Sequence, residues 1–152
     1  MTATADTRPS ITLRRTFKAP VERVFKAWTD AAELSRWFCP SFLKLESVET
    51  DPRPGGSYRI AMRAPTGELH CVVGTYREYN PFTRVVFTWA WIATPERESV
   101  VSIDIAANDN GARLTLVHGP FADEAERAPH MLGWDDILAQ LEALLEGRGA
   151  AC

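Results

Sequence analysis

An α+β domain, with one long C-terminal helix laid over a curved antiparallel sheet, follows from three features of the sequence. Apolar and polar residues alternate from about residue 43 to 118. The breaks in that alternation are short and turn-forming. Beyond residue 129 the period changes, with Met131, Trp134, Leu138, Leu141 and Leu145 recurring at three- and four-residue intervals.

The first segment, with Ile11, Leu13 and Phe17 on one face and Thr12, Thr16 and Lys18 on the other, reads as a strand. Pro20 then suits a helix start, where its missing N–H costs nothing, and Val21, Val24, Phe25 and Trp28 form an apolar stripe. Asp30 and Glu33 have the spacing of a capping box for a second short helix that buries Leu34, Trp37 and Phe38 and stops at Pro40. Six strands are predicted over 43–50, 56–64, 68–79, 83–92, 97–107 and 111–118. Their separators include Pro54-Gly55-Gly56, Pro65-Thr66-Gly67, Asn80-Pro81 and Asn108 to Gly111. Such short connections make neighbours antiparallel, because a parallel pair needs a long crossover. The final helix is predicted over Pro129 to Glu146, with Gly147 at its C-cap and the region of Asp123 and Glu124 as a solvated acidic loop leading into it. Its stripe must rest on the sheet face that offers Tyr58, Ile60, Met62, Phe87, Trp89, Val101, Ile103, Leu114 and Leu116.

Composition bounds the function. A chain of 152 residues suits one domain and buries about 70% of its unfolded surface, enough for a core without metal or disulfide staples. We expect residues 1–9 to be a disordered lead-in, 10–147 one domain and 148–152 a flexible tail. The net charge of −3, with no basic stripe, argues against nucleic acid as partner. There is no apolar run of spanning length and no signal-peptide pattern, and Cys39, Cys71 and Cys152 are odd in number and widely spaced. Reduced thiols, a cytoplasmic location and no membrane partner are the expectations.

Several motifs carry both a structural and a chemical reading. Phe87, Trp89 and Trp91 put three large rings on one strand face, which serves either core packing or the wall of an apolar pocket. His118 follows Leu114 and Leu116 by period two and so points inward. It either binds a ligand oxygen or moves a proton, or it satisfies a backbone carbonyl near Gly119-Pro120. His118, His130, Asp123 and Glu124 lack the spacing of a helical zinc pair, so no metal and no cofactor is expected. Asp135 and Asp136 diverge by about 100° around the helix and do not form a dyad.

At these residues the chain resembles the START-like (SRPBCC) superfamily. Within it, the chain is similar to the branch named after the C-terminal domain of the activator of the heat-shock-protein-90 ATPase. The resemblance rests on Ala19-Pro20, Val24-Phe25 and Ala27-Trp28-Thr29-Asp30, then Leu34, Trp37-Phe38 and Pro40. It continues through Asp51, Arg53, Gly55-Gly56, Gly74, Tyr76, Glu78, Pro81, Thr88-Trp89, Leu114-Thr115-Leu116, His118, Gly133-Trp134, Leu138 and Leu141. Phe38 and Cys39 depart from the two tryptophans and glycine that often precede the proline. The resemblance implies a helix-grip fold of about seven strands around the last helix.

A helix gripping a curved sheet leaves a gap, so we expect a binding module for an apolar or aromatic small molecule. The candidate wall is Trp37, Phe42, Tyr58, Ile60, Met62, Phe87, Trp89, Trp91, Val101, Ile103, Leu116, His118, Met131, Trp134 and Leu138. Trp28 is expected behind the first helix, away from that space. Two alternatives stay open: a polyketide-type cyclase or aromatase using His118 or Glu78, and a stress-related, co-chaperone-like interaction domain. Homodimer formation is compatible with such a domain.

Overall fold

The computed structural model describes residues 8–147. Strand β1 (Ile11–Phe17) leads into α1 (Val21–Thr29) and α2 (Ala31–Leu34). Strands β2 (Lys44–Thr50), β3 (Ser57–Arg63), β4 (Leu69–Asn80), β5 (Arg84–Trp91), β6 (Ser99–Asn108) and β7 (Gly111–Gly119) follow, and α3 (Glu124–Leu145) ends the fold. The seven strands form one antiparallel sheet in the order β1-β7-β6-β5-β4-β3-β2. The two short helices carry the chain from one edge strand, β1, to the other, β2, and the meander then returns it strand by strand. This is the helix-grip architecture implied by the resemblance.

Local chemistry explains most boundaries. Pro20 stands at the N-cap of α1 in extended conformation. Asp30 ends α1 and caps α2, its carboxylate accepting from the Ala32 and Glu33 amides at 2.9 and 3.4 Å. The reciprocal half of the capping box is missing, because the Glu33 carboxylate turns to Arg23 at 2.8 Å. On β4, a Cβ at Gly74 would fall 2.0 Å from the Thr88 carbonyl oxygen and 2.6 Å from the Tyr58 ring. Only glycine lets that carbonyl, which accepts the Tyr58 hydroxyl, approach so closely.

Three expectations need correction. Helix α3 starts at Glu124, not Pro129, so the presumed acidic loop is its first turn. Asp123 caps it through the Glu126 amide at 2.9 Å, and Glu124 and Glu126 favour the positive helix end. Pro129 forfeits one backbone bond inside the helix but its fixed φ suits helical backbone. Trp28 is buried and faces the core, its ring centroid 4.8 Å from Trp37 and 6.1 Å from Trp134. It belongs to the apolar stripe of α1, and that stripe is the face turned inward. Cys39 is disulfide-bonded, against the expectation of reduced thiols, while Cys71 is free and buried. Wide spacing in sequence sets no bound on distance in space. Most of the expected lead-in (residues 1–7) and the whole tail lie outside the described residues.

The core fills the space between the sheet and the helices. Ile103, Leu114 and Leu116 of the sheet are fully buried, as is Leu141 of α3, with Trp134 and Leu138 nearly so. Helix α3 is also pinned to the β1 edge, by an ion pair from Arg15 to Asp135 and by Arg127 donating to the Ser10 carbonyl at 2.7 Å. No helix among the described residues is long and apolar enough to cross a membrane.

The two faces of α3 should respond differently to truncation. Leu141→Ala opens a core cavity and should cost about 2–5 kcal/mol, whereas Leu132→Ala, at a residue 70% exposed, should cost less than about 0.5 kcal/mol. Urea denaturation of both variants checks this; similar losses would place the buried stripe elsewhere.

Candidate functional site

Beneath the N-terminal half of α3 lies a space of about 580 Å³, within the range of small-molecule sites. Four parts of the chain build it. The sheet contributes Met62, His70, Trp89 and Trp91; the β3–β4 turn contributes Ala64 and Pro65; α3 contributes Pro129, His130, Gly133, Trp134 and Ile137. Pro40, Phe42 and Leu43, in the loop after α2, form the lip, and Phe42 is 57% exposed there. Asp136 of α3 holds this loop, its carboxylate accepting from both the amide and the hydroxyl of Ser41 at 2.7 and 2.6 Å. The space exists partly because α3 is thin where it crosses: Gly133 has no side chain, and a Cβ there would meet only Pro40, at 4.0 Å.

The wall is aromatic. Trp89 stands with its ring centroid 5.5 Å from Trp91 and 5.2 Å from Trp134. Two of these indoles are oriented by histidines. Trp134 donates its N–H to His118 Nδ1 at 2.9 Å. That leaves the proton on His118 Nε2, which donates to Ser99 Oγ at 2.7 Å, and the Ser99 hydroxyl turns to the Trp89 carbonyl at 3.4 Å. Trp91 donates its N–H to His130 Nε2 at 3.0 Å, and His130 Nδ1–H donates back to the Glu126 carbonyl of its own helix at 2.8 Å. The two imidazoles, 5.5 Å apart and perpendicular, are thus held in opposite tautomers. Burial, with His130 nearby, pushes the His118 pKa down to about 3, so the ring is neutral in the fold.

The structure brings five of the fifteen candidate wall residues to this space: Phe42, Met62, Trp89, Trp91 and Trp134. Tyr58, Ile60 and Phe87 instead line a separate gap of about 20 Å³, behind Trp89. Trp37 is fully buried against Trp28 and donates its N–H to the Ala27 carbonyl at 3.0 Å. Val101, Ile103, Leu116 and Leu138 are core, and Met131 packs at the core's edge. His118 faces inward but reaches neither ligand space nor turn carbonyl; its partners are Trp134 and Ser99. Period-two reasoning gives its direction but cannot name partners on other elements. Glu78, offered beside it for proton transfer, is exposed and paired with Arg84 at 3.2 Å. His70 and His130 were not anticipated in the wall. Counting by twos from Val72 and Tyr76 would have turned His70 inward, and His130, four residues before Trp134, shares that residue's helix face even in a helix begun at Pro129.

With this geometry the chain can be set among known proteins. Residues 18–146 match the family described as activator of Hsp90 ATPase homolog 1-like protein. The chain belongs to that family. A solved structure from Chromobacterium violaceum is 32% identical, with a TM-score of 0.83 over 90% of this chain and 96% of that one. A homolog 1-like protein from Silicibacter pomeroyi is 28% identical, with a TM-score of 0.81 over 91% and 98% of the two chains. A third, from Nitrosomonas europaea, shares the fold at 24% identity and a TM-score of 0.79, covering 94% and 97%. No curated protein matches the chain. The chain has a fold whose family commonly binds ligands.

The neutral His118 makes stability depend on acid. Its folded pKa lies below the ordinary value of about 6.5, so its contribution is complete above that pH and is lost as pH falls toward 3. The loss should approach about 1.4 kcal/mol per pH unit. His118→Gln should cost about 1–3 kcal/mol at pH 7, by stranding the Trp134 and Ser99 groups, and should flatten the acid slope. Urea midpoints of both proteins at pH 7 and pH 4.5 test it: parallel losses would show that His118 carries no linkage.

Proposed function

We propose that this protein is a small-molecule binding module that seats an apolar or aromatic ligand between α3 and the sheet, against Trp89, Trp91 and Trp134. The carrying observation is the lining itself. Apart from two histidines and the edges of the tryptophans it is apolar, and among the described residues it contains no carboxylate, lysine, arginine, serine or cysteine. A planar ligand there loses water from both faces and stacks on rings already held by the imidazoles, so little ordering cost falls on the wall.

A proton-moving cyclase is less well supported. His118 is sealed behind Trp134 with both nitrogens engaged, and Glu78 lies on the outer surface. General acid–base work needs groups that can reach the reacting atoms, and these do not share the space.

Gly133 offers the sharper test. Gly133→Leu should project a side chain into the space, and replacing a helical glycine should itself favour the helix by up to about 1 kcal/mol. We expect planar apolar compounds such as flavones to quench tryptophan fluorescence saturably and raise the melting temperature of the wild type. In Gly133→Leu the affinity should fall at least about tenfold while the melting temperature holds or rises. Unchanged affinity in that variant would remove the ligand from this space.

A further inference from the structure

The polar groups of the wall say what kind of ligand fits. Trp134 N–H is used by His118, Trp91 N–H by His130 Nε2, and His130 Nδ1–H by the Glu126 carbonyl. Trp89 N–H has no partner, but it is buried away from any accessible surface. That leaves His70. It lies across from Met62 in the β3–β4 ladder, its ring 6.3 Å from Trp91, and its side chain is 38% exposed at the rim. The Glu68 carboxylate oxygen is 3.9 Å from His70 Nε2, longer than a hydrogen bond, and the ring has no hydrogen-bond partner among the described residues. Of the described side chains on the wall, His70 alone has hydrogen-bonding capacity to offer at an accessible surface.

We infer that the ligand carries a neutral hydroxyl, alcoholic or phenolic, at one end of an apolar body, and that His70 binds this head at the rim while the body lies against Trp89 and Trp134. The inference rests on the reading of the space as a ligand site. A neutral head is favoured over a carboxylate for two reasons. Among the described residues no lysine or arginine lines the space to compensate a buried anion, and Glu68 stands beside His70 with the same sign of charge as a carboxylate would have. An imidazole can either donate to a hydroxyl oxygen or accept its proton, so it suits such a head whichever tautomer it holds.

The test uses three probes of matched shape, 2-naphthol, 2-methylnaphthalene and 2-naphthoate. Their affinities are measured by calorimetry for the wild type, His70→Leu, His70→Gln and Gly133→Leu. The wild type should prefer 2-naphthol to 2-methylnaphthalene by about 3- to 10-fold, the range of one neutral hydrogen bond. His70→Leu should abolish that preference while leaving 2-methylnaphthalene bound, and His70→Gln, which keeps a hydrogen-bonding side chain, should restore part of it. A preference that persists in His70→Leu, or tightest binding of 2-naphthoate through His70, overturns the inference. Binding of 2-methylnaphthalene that depends on Gly133, with no effect of His70 on any probe, overturns this inference alone and leaves the binding module standing. No binding of any probe to the wild type sinks both.

Discussion

The hydrogen bond from Trp134 to His118 joins the two layers that a helix-grip fold must hold together. Hydrophobic burial presses α3 onto the sheet but is indifferent to small slides and rotations of a smooth apolar stripe. A directional bond between the middle of the helix and the end of β7, continued through Ser99 to the Trp89 carbonyl on β5, is not indifferent. It ties α3 to three strands and leaves no polar atom of the imidazole unpaired, so burying the histidine carries little penalty while it stays neutral.

With the helix pinned at Trp134, what lies N-terminal to it sets the space. Pro129 and Gly133 present little bulk toward the sheet, and the 40–43 loop is drawn over the opening by the Ser41–Asp136 contact. Toward the C-terminus, Leu138, Leu141 and Leu144 are buried and fill the groove. One helix therefore closes half of the concave face and leaves the other half open. The helix residues that line the opening also orient its rings: Trp134 is itself fixed by His118, and His130 fixes Trp91. A preorganised aromatic wall is the economical way to bind an apolar molecule, because few rotamers have to be frozen on association.

Membership of the homolog 1-like family accounts for the architecture, within which the reasons for Gly74 and Asp30 are steric and local. The polar character of the wall depends on two histidines around Trp91, on a lining without charged side chains among the described residues, and on a lip shaped by Pro40 and Phe42. The departure at Phe38 and Cys39 falls just before that lip. There Phe38 packs edge-on to Trp134 at 5.7 Å, filling core beside the space and not the space itself.

By itself the sequence determined the elements, their order and, Trp28 apart, which faces turn inward. Period two over 43–118, helical spacing after 129 and the turn residues between are local signals, and burial follows them closely. Tyr58, Ile60, Met62, Phe87, Trp89, Ile103 and Leu116 all lie where alternation puts them. It was less able to set the start of α3, because the proline signal at residue 129 competed with a cap at Asp123 whose strength shows only in its bond to the Glu126 amide. Only the tertiary structure decided which inward residues meet a ligand space and which are solid core. That choice depends on separations between elements far apart in the chain, and alternation does not encode them. His118 and Trp91 both face inward by pattern. One is sealed because Trp134 and Ser99 happen to reach it, and the other is left at the wall because Gly133 and Pro129 do not.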